Sequence, residues 1–304
     1  MVFSYSTVLI NTILFACPLL LLCTGGILNT RAGIVNLGFD GIMCVGATFY
    51  CIIVSQLKSS MGSSVAILAF FVAIIVGMVF SLLHSLATLI FRANQFLVSM
   101  VINYLGYGLA VVLPLSFTGT INYSLSSIYI PLFPWPSFLV TLIVIYLFSA
   151  LLFLTKLGLY IRGIGENPTA VALNYIHVRR SRMYISLISS SLACFAGAFF
   201  VYILPSSFID TNNFNGIGFL VIPLWMMARS RFVLTTIICL IFSFIYQVGN
   251  ATQSFSLISK NIPSWLWGML PYLIALGALM IFRPDTMLPP SWGVPYVKTG
   301  RRWQ

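Results

Sequence analysis

Two places in this 304-residue chain hold residues whose types and spacing could do chemistry, Asp40 and Glu166-Asn167-Pro168. In both the chemistry is hydrogen bonding. Nothing in the sequence gathers the nucleophile, base or metal set that an active site requires. His84 falls inside an apolar run and His177 beside arginines, each without a partner in sequence, so both are expected to be core or interface histidines. Cys17, Cys23, Cys44, Cys51, Cys194 and Cys239 show no CxxC spacing and are expected to be small core residues. No GxxxxGK[ST] phosphate loop occurs, so any nucleotide-derived energy must come from another polypeptide. No cofactor, metal or catalytic residue is expected.

Asp40 stands in the run Arg31 to Ala47, RAGIVNLGFDGIMCVGA, with Gly33, Gly38, Gly41, Gly46 and Asn36. An Asp in a hydrophobic run is costly and must be satisfied. Glycine lets the chain leave helical geometry and lets backbones approach. One economical arrangement breaks a helix near Gly38, with Asp40 accepting from the freed amides of the second half. Such breaks are tolerated where they line a cavity, and the alternative is a plain cap at the interface. Asn103 lies nine residues into a later run, near mid-bilayer at about 1.5 Å per residue. Its amide suits either a polar solute or a neighbouring helix. Asn36, Gly38, Asp40, Gly41 and Asn103 are therefore the candidate solute-pathway residues. A second Gly-punctuated stretch, Phe214-Asn215-Gly216-Ile217-Gly218-Phe219, suggests the matching interruption of a pseudo-symmetric half.

Glu166-Asn167-Pro168 spells a helix start: Asn accepts from first-turn amides, and Pro fits a position that needs no donor. It lies in a polar, cationic island, Lys156 to Arg182. A capped helix in a loop between spans suits docking by a soluble partner.

The elements that must position these residues are membrane helices. Apolar residues make up 60% of the chain and charged ones 6%, with mean hydropathy +1.05. The apolar runs are continuous rather than alternating, which favours helices over a barrel. The expected fold is an all-α polytopic membrane protein of about nine transmembrane helices, roughly 8–28, 39–57, 64–90, 94–116, 137–155, 183–204, 214–228, 232–249 and 264–282. The second of these is expected to be broken and Gly-rich. Residues 1–282 form the membrane domain, with the loop 156–182 inside it, and 283–304 a basic cytoplasmic tail. Placing that loop in the cytoplasm turns inward all but Lys58 and Lys260 of the fifteen Lys and Arg. The N-terminus is then outside and the C-terminus cytoplasmic. The net charge of +11 is scattered singly at span ends, which reads as topology and not as nucleic-acid binding. No Lys or Arg precedes Arg31, which argues against a cleaved leader.

With these residues in place, the chain resembles the permease subunits of bacterial ABC importers, in the branch that serves nucleosides and simple sugars, alongside ribose and branched-chain amino-acid permeases. RAGIVNLGFDGIMCVGA is similar to the early signature of that family. Ala93-Asn94-Gln95 through Asn103-Tyr104-Leu105 resembles the next block. Gly158-Leu159 and Arg162-Gly163-Ile164-Gly165-Glu166-Asn167-Pro168-Thr169-Ala170 match the cytoplasmic coupling segment, and Pro289-Pro290-Ser291-Trp292-Gly293-Val294-Pro295-Tyr296 resembles the basic tail. The family usually has Glu where Asp40 stands, and an Ala-rich helix where this chain reads Val221-Ile222-Pro223-Leu224-Trp225.

The resemblance implies a pair of permease subunits, identical or not, two ATPase subunits beneath them, and a substrate-binding protein outside. It implies that Arg162, Gly165, Glu166, Asn167, Pro168, Thr169, Ala170 and Ala172 form the ATPase-coupling segment in a cell-membrane protein. Few acids lie in the spans, which fits a neutral polar solute such as a nucleoside, a sugar or a flavin. A stand-alone ion-coupled secondary transporter is the alternative, and it would need ionisable residues in the spans that are nearly missing apart from Asp40.

Overall fold

The structure is a computed structural model that describes residues 5–119, 134–203, 214, 216–252, 264–282 and 288–296. All regular elements among the described residues are helical. They are α1 (Tyr5–Arg31), α2 (Phe39–Met61), α3 (Val65–Ser85), α4 (Gln95–Thr118), α5 (Pro134–Leu154), α6 (Lys156–Glu166), α7 (Pro168–Leu173), α8 (Val178–Ile203), α9 (Ile217–Met227), α10 (Phe232–Thr252) and α11 (Ser264–Phe282). Asn215 and the tail residues 297–304 lie outside the described residues.

Helices stand in all the expected apolar runs, but they do not all have the length of a crossing. Among the described residues five stretches are long and apolar enough to cross a membrane, and a sixth is gained if α5 and α6 are taken as one bent span. One of the five, Phe39–Ile90, is 52 residues long. At about 1.5 Å per residue a straight helix of that length would be more than twice a bilayer core. It holds α2 and α3, which pack against each other. The turn between them sits at Gly62, whose φ of +61° is open to glycine at little cost. α9 has only 11 residues. The broken second span expected around Gly38 is not what forms. α2 runs without interruption from Phe39 to Met61, and the irregular stretch, residues 32–38, precedes it. That stretch is nonetheless buried apart from Leu37, so its polar backbone must be met inside the protein.

α8 is the centre of the fold and packs against α1, α2 and α3. Small residues set the spacing. A Cβ on Gly197 would stand 1.9 Å from the Met43 carbonyl, and one on Gly46 would stand 2.0 Å from the Cys194 carbonyl. α2 and α8 therefore touch backbone to backbone, as small-residue faces permit in membranes. All six cysteines are buried, as expected. Gly197→Val is expected to force these helices apart, at a cost of about 3 kcal/mol or more. A drop in the detergent melting temperature and a loss of monodisperse protein on size exclusion would register it. An unchanged profile would mean that the crossing can relax.

α6 is turned 74° from α5. Thr155 caps it, accepting from the Gly158 amide at 3.1 Å. Gly158 leaves no room for a side chain, because a Cβ there would lie 2.2 Å from the Leu152 carbonyl. Leu157, Leu159 and Tyr160 are exposed along α6. A helix with such an apolar edge, lying across the direction of its neighbouring span, suits the membrane surface. α7 follows directly. Beneath both, Ile164, Val171 and Val178 form a second small core, separate from the main one, with Ala172, Ile176 and Tyr296 packed on it.

Candidate functional site

The five pathway residues named from sequence come together in one buried knot where the 32–38 linker, α2, α4 and α9 meet. Asn36 Oδ1 accepts from the Gly38 amide at 2.8 Å, which turns the chain into α2. Gln95 Oε1 accepts from the Val35 amide at 2.7 Å. Asn103 bridges the junction: its Oδ1 accepts from the Gly41 amide at 2.7 Å, and its Nδ2 donates to the Leu37 carbonyl at 2.8 Å. Of the two roles open to Asn103, the structure shows the interhelical one. α4 approaches the start of α2 closely because Gly41 and Gly106 are bare. A Cβ on Gly41 would lie 2.5 Å from Asn103 Cα, and one on Gly106 would lie 2.4 Å from the Gly41 carbonyl oxygen.

Asp40 does not cap its own helix. The N-terminus of α2 is at Gly38 and has no side-chain cap. Asp40 is fully buried, and its Oδ1 accepts from the Gly218 amide at 2.5 Å. Its Oδ2 accepts from the Tyr107 hydroxyl. Gly218 is the second residue of α9, so the carboxylate caps a helix 178 residues further along the chain. The physical reason is access. The first-turn amides of α9 are free, and with no side chain at Gly218 they come close: a Cβ there would stand 2.4 Å from Asp40 Cα. A negative group at a helix N-terminus also meets the positive end of the helix dipole. The two Gly-punctuated stretches thus lie against each other through Asp40. Tyr107 was not singled out by sequence, and a tyrosine on an apolar helix gives no local sign of a partner. Asn36 Nδ2 and Gln95 Nε2 are buried in this region without a partner among the described residues.

Further along α9, the departure from the expected Ala-rich pattern has a structural use. A Cβ on Gly26 would lie 2.4 Å from the Trp225 ring, so that ring lies directly on α1. Trp225 also meets Phe39 edge to face at 5.8 Å. His84 contacts the Ser99 hydroxyl at 3.2 Å and is a core histidine, as expected.

The second site is the α6–α7 corner. Asn167 caps α7 as its type and spacing predict, accepting from the Ala170 amide at 3.1 Å, with Pro168 in the first turn. The Thr169 hydroxyl donates to the same Asn167 oxygen at 2.5 Å. Glu166, Thr169 and Ala170 are exposed, and Pro168 is half-buried. Gly165 is buried against the Arg31 carbonyl, with Cβ space of only 2.2 Å. Arg162 turns back onto its own end of the fold, its guanidinium 5.4 Å from the centre of the Phe153 ring. Ala172 lines a groove of about 670 Å³ beside α7, together with Leu89, Ile90, Ile176, Met183, Arg179 and Arg180. Leu173 and Tyr175 stand out from the corner with 82% and 94% of their surfaces exposed. Arg179 and Arg180 are exposed, but Arg182 is buried. The three arginines are therefore not one surface cluster.

A multi-pass bundle of apolar helices with a buried polar knot and a capped helix at a corner is the architecture of a membrane transport protein. Residues 8–279 match the family described as the permease component of branched-chain amino-acid transport systems, and the chain belongs to that family. It is 28% identical to the nucleoside ABC transporter permease protein NupC of Lactococcus lactis subsp. cremoris, over 95% of this chain and 96% of that protein. It is 27% identical to the guanosine ABC transporter permease protein NupQ of Bacillus subtilis, over 96% of each. An uncharacterized Mycoplasma genitalium protein, MG121, is 27% identical over 93% of this chain and 95% of its own length. No solved structure matches the chain.

Proposed function

We propose that the chain is the membrane-spanning subunit of an ABC importer for nucleosides, driven by a separate ATPase that docks on the α6–α7 corner. The observation that carries the docking is the exposure of Leu173, the last residue of the capped helix, and of Tyr175 just beyond it. Apolar side chains that stand out from a polar loop mark a protein contact. Tyr175 also holds a φ of +58°. That conformation is uncommon for an aromatic residue, and such strain collects at functional surfaces. The groove lined by Ala172 extends the same surface. Glu166, Asn167, Pro168, Thr169 and Ala170 form the helix start that fits into the partner.

The names of the two bacterial relatives support a nucleoside as the solute. The knot of Asn36, Gly38, Asp40, Gly41 and Asn103, where two Gly-rich stretches meet, is the part of the pathway that changes facing. In this reading the chain crosses a cell membrane about nine times, with its N-terminus outside and its tail from residue 283 inside. A second permease subunit completes the pore, and a substrate-binding protein delivers the solute from outside.

The test is transport of radiolabelled guanosine into proteoliposomes. The chain reconstituted with its co-purifying ATPase, partner permease and binding protein should import guanosine only with ATP. Guanosine uptake by the chain alone under a proton or sodium gradient would replace this reading with ion-coupled secondary transport.

A further inference from the structure

Outside the solute knot and among the described residues, one guanidinium is buried without a carboxylate partner. Arg182, in the first turns of α8, is fully buried. Its Nε donates to the Ala32 carbonyl at 3.1 Å, its Nη1 to the Val294 carbonyl at 3.0 Å, and its Nη2 to the Ser291 hydroxyl at 3.1 Å. All three acceptors are neutral oxygens. Burying a charge against neutral dipoles is expensive, whereas Arg179 and Arg180 nearby stay exposed at no such cost. The cost calls for a role in position.

The three acceptors lie on two separate segments. Ala32 opens the linker 32–38 that carries Asn36 and leads to Asp40. Ser291 and Val294 belong to the C-terminal segment, and Ser291 passes the contact on. Its hydroxyl lies 3.0 Å from the Ile164 carbonyl and 2.5 Å from the Gly165 carbonyl, and its amide donates to the same Gly165 oxygen at 3.1 Å. These carbonyls end α6, where a helix leaves its acceptors unmet. The fit has no slack: a Cβ on Gly33 would stand 2.5 Å from Ser291 Oγ and 2.8 Å from Arg182 Nη2. The Gly293 amide also donates to the Gly33 carbonyl at 3.2 Å. Tyr296 closes the segment onto the small core under α6 and α7.

We infer that Arg182 and Ser291 form a strut that makes the α6–α7 corner move as one body with the linker 32–38, and so carries displacement from the docked ATPase to the solute knot. The inference rests on the importer reading. Arg182 touches neither ATPase nor solute in it and is a positioning residue. The C-terminal segment 288–296 is part of the lever and not a loose appendage.

The test uses the complete transporter in proteoliposomes, with guanosine uptake and ATP hydrolysis measured together. Ser291→Ala removes the hydroxyl that joins Arg182 to the Ile164 and Gly165 carbonyls; it keeps the backbone amide's bond to Gly165 and the other two contacts of Arg182. Arg182→Lys keeps the charge, but one nitrogen cannot reach three acceptors. Both variants should co-purify with the ATPase in wild-type amount and hydrolyse ATP, while guanosine moved per ATP falls about tenfold, within the usual range of coupling between sites. Ser291→Thr keeps the hydroxyl and should restore the ratio. The strut is overturned if both variants keep the wild-type ratio, or if uptake, hydrolysis and membrane abundance all fall in proportion, as a purely structural role would give. Should Arg182→Lys fail to accumulate, the Ser291 pair decides alone. A wild-type chain that recruits no ATPase sinks the importer reading, and the strut with it; a working wild-type complex with unaffected variants sinks the strut alone.

Discussion

Replacing Leu173 and Tyr175 together by Glu should leave the chain in the membrane and strip it of its ATPase. Each side chain is almost wholly exposed in the isolated chain. Fully burying an apolar side chain of this size contributes about 2 kcal/mol. Losing two such contacts costs about 4 kcal/mol, or about a thousandfold in affinity. The carboxylates add desolvation cost in the same place. Replacing Glu166-Asn167-Pro168 by Gly-Gly-Gly attacks the same contact through the helix. It removes the Asn167 cap, worth about 1 kcal/mol, and puts flexible glycine in the first turn of a six-residue helix. Its effect on association should be large but smaller than that of the double charge. Pull-down of the ATPase with the tagged chain measures both, and full retention by the Leu173/Tyr175 variant would remove the docking face from α7.

The membrane helices were legible because a run of apolar residues is a local signal. The ends expected for 232–249 and 264–282 fall within a few residues of α10 and α11. Asn167 was legible for the same reason, since a cap depends on residues three positions away. Length was the weaker guide. The run 214–228 yields a helix of 11 residues, because Gly216 at φ +86° starts it late and α9 ends at Met227.

Asp40 was recognisable as a residue in need of a partner, but the partner was not. A buried carboxylate announces a cost, and its donors may lie anywhere in the chain. Here they include Tyr107 and Gly218. Arg182 lies within three residues of Arg179 and Arg180 in the sequence. The helix period separates them: Val178, Arg182, Ile185 and Ser189 share the buried stripe of α8. That spacing was available and would have marked Arg182 as an inward cation. Ser291 had no comparable sign, since its contacts depend on where a non-helical segment falls against three distant elements.

The other large effect belongs to Asp40. Asp40→Leu keeps a similar volume and removes both acceptors, which leaves the Gly218 amide and the Tyr107 hydroxyl without the carboxylate. Hydrogen bonds to a charged group contribute about 1.5–3 kcal/mol each, so the junction between α2, α4 and α9 should lose about 3–6 kcal/mol. The long helices that hold the chain in the bilayer do not depend on this junction, so membrane insertion should persist. Guanosine uptake should fall more than about a hundredfold at equal membrane abundance. Asp40→Asn offers one acceptor to the Gly218 amide and an amide donor to the tyrosine oxygen, and Tyr107→Phe removes only the hydroxyl bond. Both should fall between wild type and Asp40→Leu. This order separates a carboxylate that joins helices from one that only fills space. If Asp40→Leu imported guanosine at the wild-type rate, the junction would be filling and the moving part of the pathway would lie elsewhere. An Asp40→Asn variant as inactive as Asp40→Leu would instead show that the negative charge at the start of α9, and not the pair of hydrogen bonds, is what transport requires.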